Sequence, residues 1–170
     1  ILHCDLNNFY ASVEQLSHPE YDGMPIAVSG NPEVRHGIVL AKNMLAKEAG
    51  VATGEALWIA RRKCPDIVFL PPHYDEYVRI SKQVFAIYTE FTDRVESFGL
   101  DECWLDVTGS LRLFNMTGKE LADKIRETVK ARTGLTISVG VSFTKVLAKL
   151  GSDLKKPDAT VVLSRENYMD

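Results

Sequence analysis

Residues 94–107 read Arg94-Val95-Glu96-Ser97-Phe98-Gly99-Leu100-Asp101-Glu102-Cys103-Trp104-Leu105-Asp106-Val107. Two strand-forming runs, 94–98 and 103–107, flank Gly99-Leu100-Asp101-Glu102, a pattern that predicts a β-hairpin. Acidic residues are depleted from strands, yet two stand side by side at this turn. A third closes the opening run Ile1-Leu2-His3-Cys4-Asp5-Leu6, which reads as a strand over about 1–6. Solvation at a strand end accounts for any one of these carboxylates. Asp75-Glu76 has such a bland explanation, since negative charge suits the first turn of a helix. Asp5, Asp101 and Glu102 together, from neighbouring strands, suit a divalent cation. Magnesium takes a few protein carboxylates and leaves the remaining positions to water and substrate phosphates.

Outward from the hairpin, the chain alternates strands and helices. Asn7-Asn8-Phe9-Tyr10 leads into a helix over 11–16, and His18-Pro19 and Asp22-Gly23 break it. Strands are expected at 25–28, ended by Ser29-Gly30-Asn31-Pro32, and at 37–41 and 67–70. Helices are expected at 43–48, with Gly50 as its stop, and at 55–63. A long amphipathic helix follows from 74 to about 91, with Tyr77, Val84, Tyr88 and Phe91 on one side. Thr117 and Glu120 form a capping box for a helix that carries Leu121, Ile125 and Val129 and stops at Gly134. A strand at 135–141, a helix at 144–155 and a strand at 160–163 complete the chain. The pattern is α+β: a mixed, mainly antiparallel sheet backed by helices near 75–91 and 118–133. Residues 15–72 form a small inserted lobe, with Pro71-Pro72 at its boundary.

The chain has 170 residues, enough for one domain with an inserted lobe at about 150 residues per domain. Apolar residues make up 45% and charged residues 25%, which excludes disordered and disulfide-framework classes. The net charge of −3 argues against a free-standing nucleic-acid binder, which carries a basic surplus. Cys4, Cys64 and Cys103 are odd in number and far apart, with no Cys-x-x-Cys, so a reducing cytoplasm is expected. No run approaches the roughly 20 apolar residues of a membrane span. The chain begins without Met and in mid-strand, as expected of a trimmed fragment or a chain that has lost its leader. His3, His18, His36 and His73 lack ligand spacing and read as incidental. Cys4 and Cys103 alternate with the acidic positions and are expected to face the core.

Three motifs carry a resemblance: 5–14 (Asp5-Leu6-Asn7-Asn8-Phe9-Tyr10-Ala11-Ser12-Val13-Glu14), 100–108 (Leu100-Asp101-Glu102-Cys103-Trp104-Leu105-Asp106-Val107-Thr108), and Gly140-Val141-Ser142 through Ala148-Lys149 to Lys155-Lys156-Pro157. In this order they resemble the Y-family translesion DNA polymerases, and within them the DNA polymerase IV (DinB-like) branch. The resemblance implies a polymerase palm at 1–14 and 73–170 and fingers at 15–72. The family's thumb and C-terminal DNA-binding domain are absent from this stretch. It also implies two magnesium ions bridged by Asp5 and Asp101, with Glu102 completing the ion nearer a primer 3′-hydroxyl and the Leu6 carbonyl as a further ligand. Tyr10 corresponds to the aromatic gate beneath the sugar. Phe9, which also reads as a core aromatic, joins it in the nucleotide-binding set with Lys47 and Lys156. Ile38 and Leu40 would cover the nascent base pair.

The sequence departs from the family at three places. Lys47 stands where Arg is common, and the two differ on a phosphate. Met44 replaces a Tyr, and Gly99 replaces a Ser, removing a hydroxyl near the metals. The resemblance implies template-directed DNA synthesis across lesions, with primer–template DNA and a deoxynucleotide as partners. A sliding clamp is expected through the absent C-terminal part. The chain is expected to be a cytoplasmic monomer with no membrane partner, extending primers weakly or not at all by itself. Two other readings compete: a non-catalytic DNA-binding relative, and a nucleotide cyclase of the Gly-Gly-Asp-Glu type, echoed by Gly99-Leu100-Asp101-Glu102.

Overall fold

The computed structural model describes residues 1–31 and 37–168. Pro32 and His36 lie outside the described residues. In chain order the elements are β1 (Leu2–Leu6), α1 (Phe9–Ser17), a 3-10 turn (Pro19–Tyr21), β2 (Ile26–Ser29), β3 (Val39–Lys42), α2 (Met44–Glu48), α3 (Leu57–Lys63), β4 (Val68–Leu70), α4 (Tyr74–Thr89), β5 (Val95–Phe98), β6 (Glu102–Leu105), α5 (Ser110–Phe114), α6 (Gly118–Thr133), β7 (Ile137–Ser142), α7 (Lys145–Leu154) and β8 (Thr160–Leu163). The 3-10 turn at Pro19–Tyr21 and α5 had no counterpart in the sequence reading. The chain divides into two units: Ile1–Asn7 with Val78–Asp170, and Asn8–Tyr77.

The larger unit is a five-stranded sheet in the order β5-β6-β1-β7-β8. All neighbours are antiparallel except β7 and β8. Because side chains alternate along a strand, the registers separate two faces. Leu2, Cys4 and Leu6 share one face with Cys103, Leu105, Ile137 and Val139, all buried. Tyr88 of α4 lies against Cys4 and Cys103 on this side. Leu121, Ile125 and Val129 of α6 are buried, and Arg132 of α6 pairs with Glu90 beyond the end of α4. The capping box of Thr117 and Glu120 is present, and Gly134 closes α6 at φ 74°.

The opposite face carries His3, Asp5, Glu102, Trp104, Ser138 and Gly140. Here α7 packs on β1, β7 and β8, which buries all five residues of β1. Gly140 makes this possible, because a Cβ there would lie 1.8 Å from the Ala148 carbonyl oxygen. The two sequence-predicted helices therefore back one face, and a third covers part of the other.

The smaller unit holds the sheet β3-β2-β4, with β2 antiparallel to β3 and parallel to β4. Ala27, Val39, Ala46, Leu57 and Ala60 are at its core. Buried Asn43 caps α2 by accepting from the Ala46 N–H at 3.1 Å. It also accepts from Ile26 N–H and donates to the Met24 carbonyl, which ties the helix to β2. The lobe read from sequence at 15–72 lies within this unit, Asn8–Tyr77. Phe9, Ala11 and Val13 of α1 are buried, and the helix packs on β2 and β3. Asn8 makes the turn out of β1 at φ 47°, a left-handed conformation that Asn tolerates better than most residues.

Candidate active site

β1 and β6 run antiparallel with Asp5 opposite Glu102, so the two carboxylates stand on one face at adjacent strand ends. Asp101 precedes Glu102 in the turn, and its carbonyl accepts from the Leu6 N–H at 2.9 Å. The hairpin thereby brings Asp5, Leu6, Asp101 and Glu102 together. Ser81 of α4 donates to the Leu100 carbonyl at 2.5 Å and pins the turn from behind. Gly99, read from sequence as a lost hydroxyl, has a backbone reason. Its φ is 84°, a region where Gly has no Cβ penalty.

Cations from α7 and the segment after it meet these anions. Lys156 Nζ lies 2.5 Å from an Asp5 oxygen and 2.9 Å from Asp153. Lys149 pairs with Glu102. Burial raises the Asp5 carboxyl above the usual carboxylate range; Lys156 opposes this without cancelling it, and Glu102 and Asp101 add to it. Burial likewise raises Asp101, with Glu102 contributing. Burial alone would lower the Lys156 ammonium, but its bonds to Asp5 and Asp153 carry it above the usual value.

His3 is a correction to the sequence reading. It is fully buried, with Nδ1 2.8 Å from Ser152 Oγ and Nε2 3.0 Å from Glu102 Oε2. Ser152 also donates to the Lys149 carbonyl at 2.7 Å, which ties the imidazole to α7. Burial lowers the His3 pKa, and Lys149 lowers it further. Glu102 is thus held by α7 and β1 at once. The period-2 spacing of His3 from Asp5 could have revealed this; the role of Lys149 required the tertiary fold.

The other sequence-predicted residues belong to the smaller unit. Phe9 is buried. Tyr10 is half-buried and stacks on Tyr77, with centroids 4.3 Å apart and planes 11° apart. Tyr77 donates to buried Glu14 at 2.5 Å, and His73 Nδ1 lies 2.9 Å from the same carboxylate. His73 is therefore not incidental either. Lys47 is exposed on α2 and Met44 is half-buried. Ile38 forms an isolated bridge with Ala56, and Leu40 lies on β3. Cys4 and Cys103 are fully buried.

Residues 4–153 match the impB/mucB/samB family. The chain belongs to this family. A DNA polymerase IV of Acetivibrio thermocellus is 56% identical over 170 residues, covering 100% of this chain and 42% of that protein. One of Halorhodospira halophila is 44% identical over 167 residues, 98% of this chain and 46% of the relative. Among solved structures, an insertion ternary complex of Dbh DNA polymerase aligns with a TM-score of 0.90 at 29% identity, covering 98% of this chain and 49% of that one. The chain spans less than half the length of these relatives. The Y-family resemblance drawn from short motifs holds across this impB/mucB/samB chain, and the fold is that of the Y-family palm. The cyclase reading is not favoured.

The donor set of this family member bears on a divalent cation. Asp5, Asp101, Glu102 and the Leu6 carbonyl offer only hard oxygens, which suit magnesium. Among the described residues, no three His, Cys, Asp or Glu side chains are close enough to hold a metal by themselves. These residues therefore fit a cation shared with substrate oxygens, with lysines offsetting the anions meanwhile. Among the described residues, no helix is long and apolar enough to cross a membrane.

Proposed function

We propose that this chain carries the catalytic carboxylates of a template-directed DNA polymerase that copies past lesions, joining a deoxynucleotide to a primer 3′-hydroxyl. The pairing of Asp5 with Asp101-Glu102 at adjacent strand ends, in a chain of this family, carries the reading. The palm comprises 1–14 and 73–170, and the fingers comprise 15–72. Asp5, Asp101, Glu102 and the Leu6 carbonyl would hold two Mg2+ ions together with phosphate oxygens. When bound, such ions lower the pKa of the attacking hydroxyl and offset charge on the triphosphate.

The chain's own groups supply the positioning. Glu102, held by His3 and Lys149, fixes one wall of the site. Lys156 exchanges its contact with Asp5 for a phosphate oxygen, and Lys47 supplies a second cation. The Tyr10 ring, kept flat against Tyr77, excludes a ribose 2′-hydroxyl, with Phe9 behind it. Ile38 and Leu40 cover the nascent base pair. Primer–template DNA and a deoxynucleotide are the partners; a sliding clamp, a monomeric state and a cytoplasmic location belong to the same reading.

The test is primer extension by the full-length protein with Mg2+. Asp101→Ala should abolish incorporation, and extension near the normal rate would overturn the assignment.

A further inference from the structure

Glu14 of α1 is buried, and nothing in the proposed chemistry uses it. Two groups from the start of α4 converge on its carboxylate. Tyr77 donates its hydroxyl at 2.5 Å, and His73 Nδ1 lies 2.9 Å away. His18 Nε2 stands 3.8 Å off, one turn further along the chain. Tyr77 is itself fully buried. Burial and the neighbouring carboxylate hold its phenol above the usual range, so the hydroxyl keeps its proton and donates. Tyr10 lies one turn before Glu14 on the same side of α1. Its ring stacks on Tyr77 with planes 11° apart, and Tyr74 meets both rings edge-on at 5.9 and 5.7 Å. Tyr77 therefore serves two rungs between α1 and α4: its face carries Tyr10, and its hydroxyl is tied to Glu14. All of these residues lie in the smaller unit.

We propose that Glu14 is a positioning residue for the sugar gate, acting through the Tyr77 hydroxyl to fix where Tyr10 stands beneath the incoming sugar; this rests on the gate reading given above. Stacking sets the spacing of two rings but holds their lateral offset only weakly. A directional hydrogen bond to a carboxylate removes that freedom. Glu14 also resists the release of Tyr77, because a buried carboxylate left short of a donor is costly. The polar rung thus turns a stack into a fixed stop. Selection needs such a stop. A ribose differs from a deoxyribose by one oxygen atom, and contact repulsion excludes that atom only if the ring beneath it does not yield.

The experiment uses the full-length protein, a primer–template and Mg2+, with kcat/KM measured for one deoxynucleotide and for its ribonucleotide. Tyr77→Phe keeps the stack and removes the tie. The deoxy-over-ribo ratio should fall about tenfold, the scale of one hydrogen bond to a charged group. Glu14→Leu should lower it equally. Glu14→Gln keeps a carbonyl acceptor for Tyr77 and should hold the ratio within about twofold of wild type. A loss of stability alone lowers both constants together and leaves the ratio unchanged, so that outcome in Tyr77→Phe overturns the inference. A Glu14→Gln protein as unselective as Glu14→Leu overturns it too. In a Tyr10→Ala background Tyr77→Phe should cause no further fall, and an equal fall there overturns the route through Tyr10. A Tyr10→Ala protein as selective as wild type would instead overturn the gate itself, and a wild type that incorporates neither nucleotide would overturn the polymerase reading.

Discussion

Gly140→Ala adds one methyl group at the most crowded place in the larger unit. The new Cβ would lie 1.8 Å from the Ala148 carbonyl oxygen, 2.6 Å from the Ser152 nitrogen and 2.8 Å from the Ala148 carbonyl carbon. Non-bonded atoms prefer separations of about 3.5 Å, so α7 would have to retreat from β7 by more than about 1.5 Å. All three obstacles are backbone atoms, and no rotamer change relieves them. Retreat also draws Ser152 away from His3 and Lys149 away from Glu102. Overpacking a core costs about 1–3 kcal/mol when side chains can adjust; with backbone on backbone the loss should reach at least about 3 kcal/mol. Gly109→Ala is the matched control. Nothing lies within 4 Å of its Cβ position and its backbone is right-handed helical, so its effect should stay within about 0.5 kcal/mol. Urea unfolding of both variants measures the difference. A Gly140→Ala protein within about 1 kcal/mol of wild type would refute the close approach of α7 to β7.

In the smaller unit, Tyr77→Phe removes the hydroxyl that donates to buried Glu14 at 2.5 Å. A hydrogen bond to a charged group contributes about 1.5–3 kcal/mol, and urea unfolding should show a loss in that range; a change below about 0.5 kcal/mol would count against the pairing. Asp158 is the pH prediction. Burial pushes its carboxyl up, but Lys130 and Arg126, at 2.9 and 2.8 Å, carry it below the usual range. A depressed native pKa stabilises above the unfolded value of about 4 and is lost as pH falls through the native one. Since these groups are partly exposed, Asp158→Asn should cost up to about 1 kcal/mol near pH 7. The cost should shrink as pH falls below the unfolded value of about 4 and be lost once it passes the lower native one, read from unfolding midpoints across pH.

The parts of the fold legible in the sequence are those that local chemistry writes twice. The stripe Leu121, Ile125 and Val129 and the capping box of Thr117 and Glu120 agree on α6. The alternation Leu2, Cys4, Leu6 against His3 and Asp5 sets which side of β1 meets the core. α5 was missed because its exposed Leu113 and unburied surroundings leave no apolar stripe. The helix α1 was legible over 11–16, but its place beside β2 and β3 comes only from tertiary packing.

Much the same division runs through the candidate site. Asp5, Asp101 and Glu102 were legible because acidic residues at strand ends demand an explanation. Their counter-charges were not, because Lys149 lies 47 residues from Glu102 and Lys156 lies 151 residues from Asp5 along the chain, and they reach the anions only through the docking of α7 on Gly140. Net charge is uninformative about this face for a related reason. A total of −3 sums anions and cations wherever they lie, while recognition depends on their arrangement over a few ångströms. On this face Lys145, Lys149 and Lys156 each answer a carboxylate, so the face is nearly invisible in the sum. A chain with a negative total can therefore still present an ordered set of cations to a polyanion, and composition alone is a poor guide to excluding one.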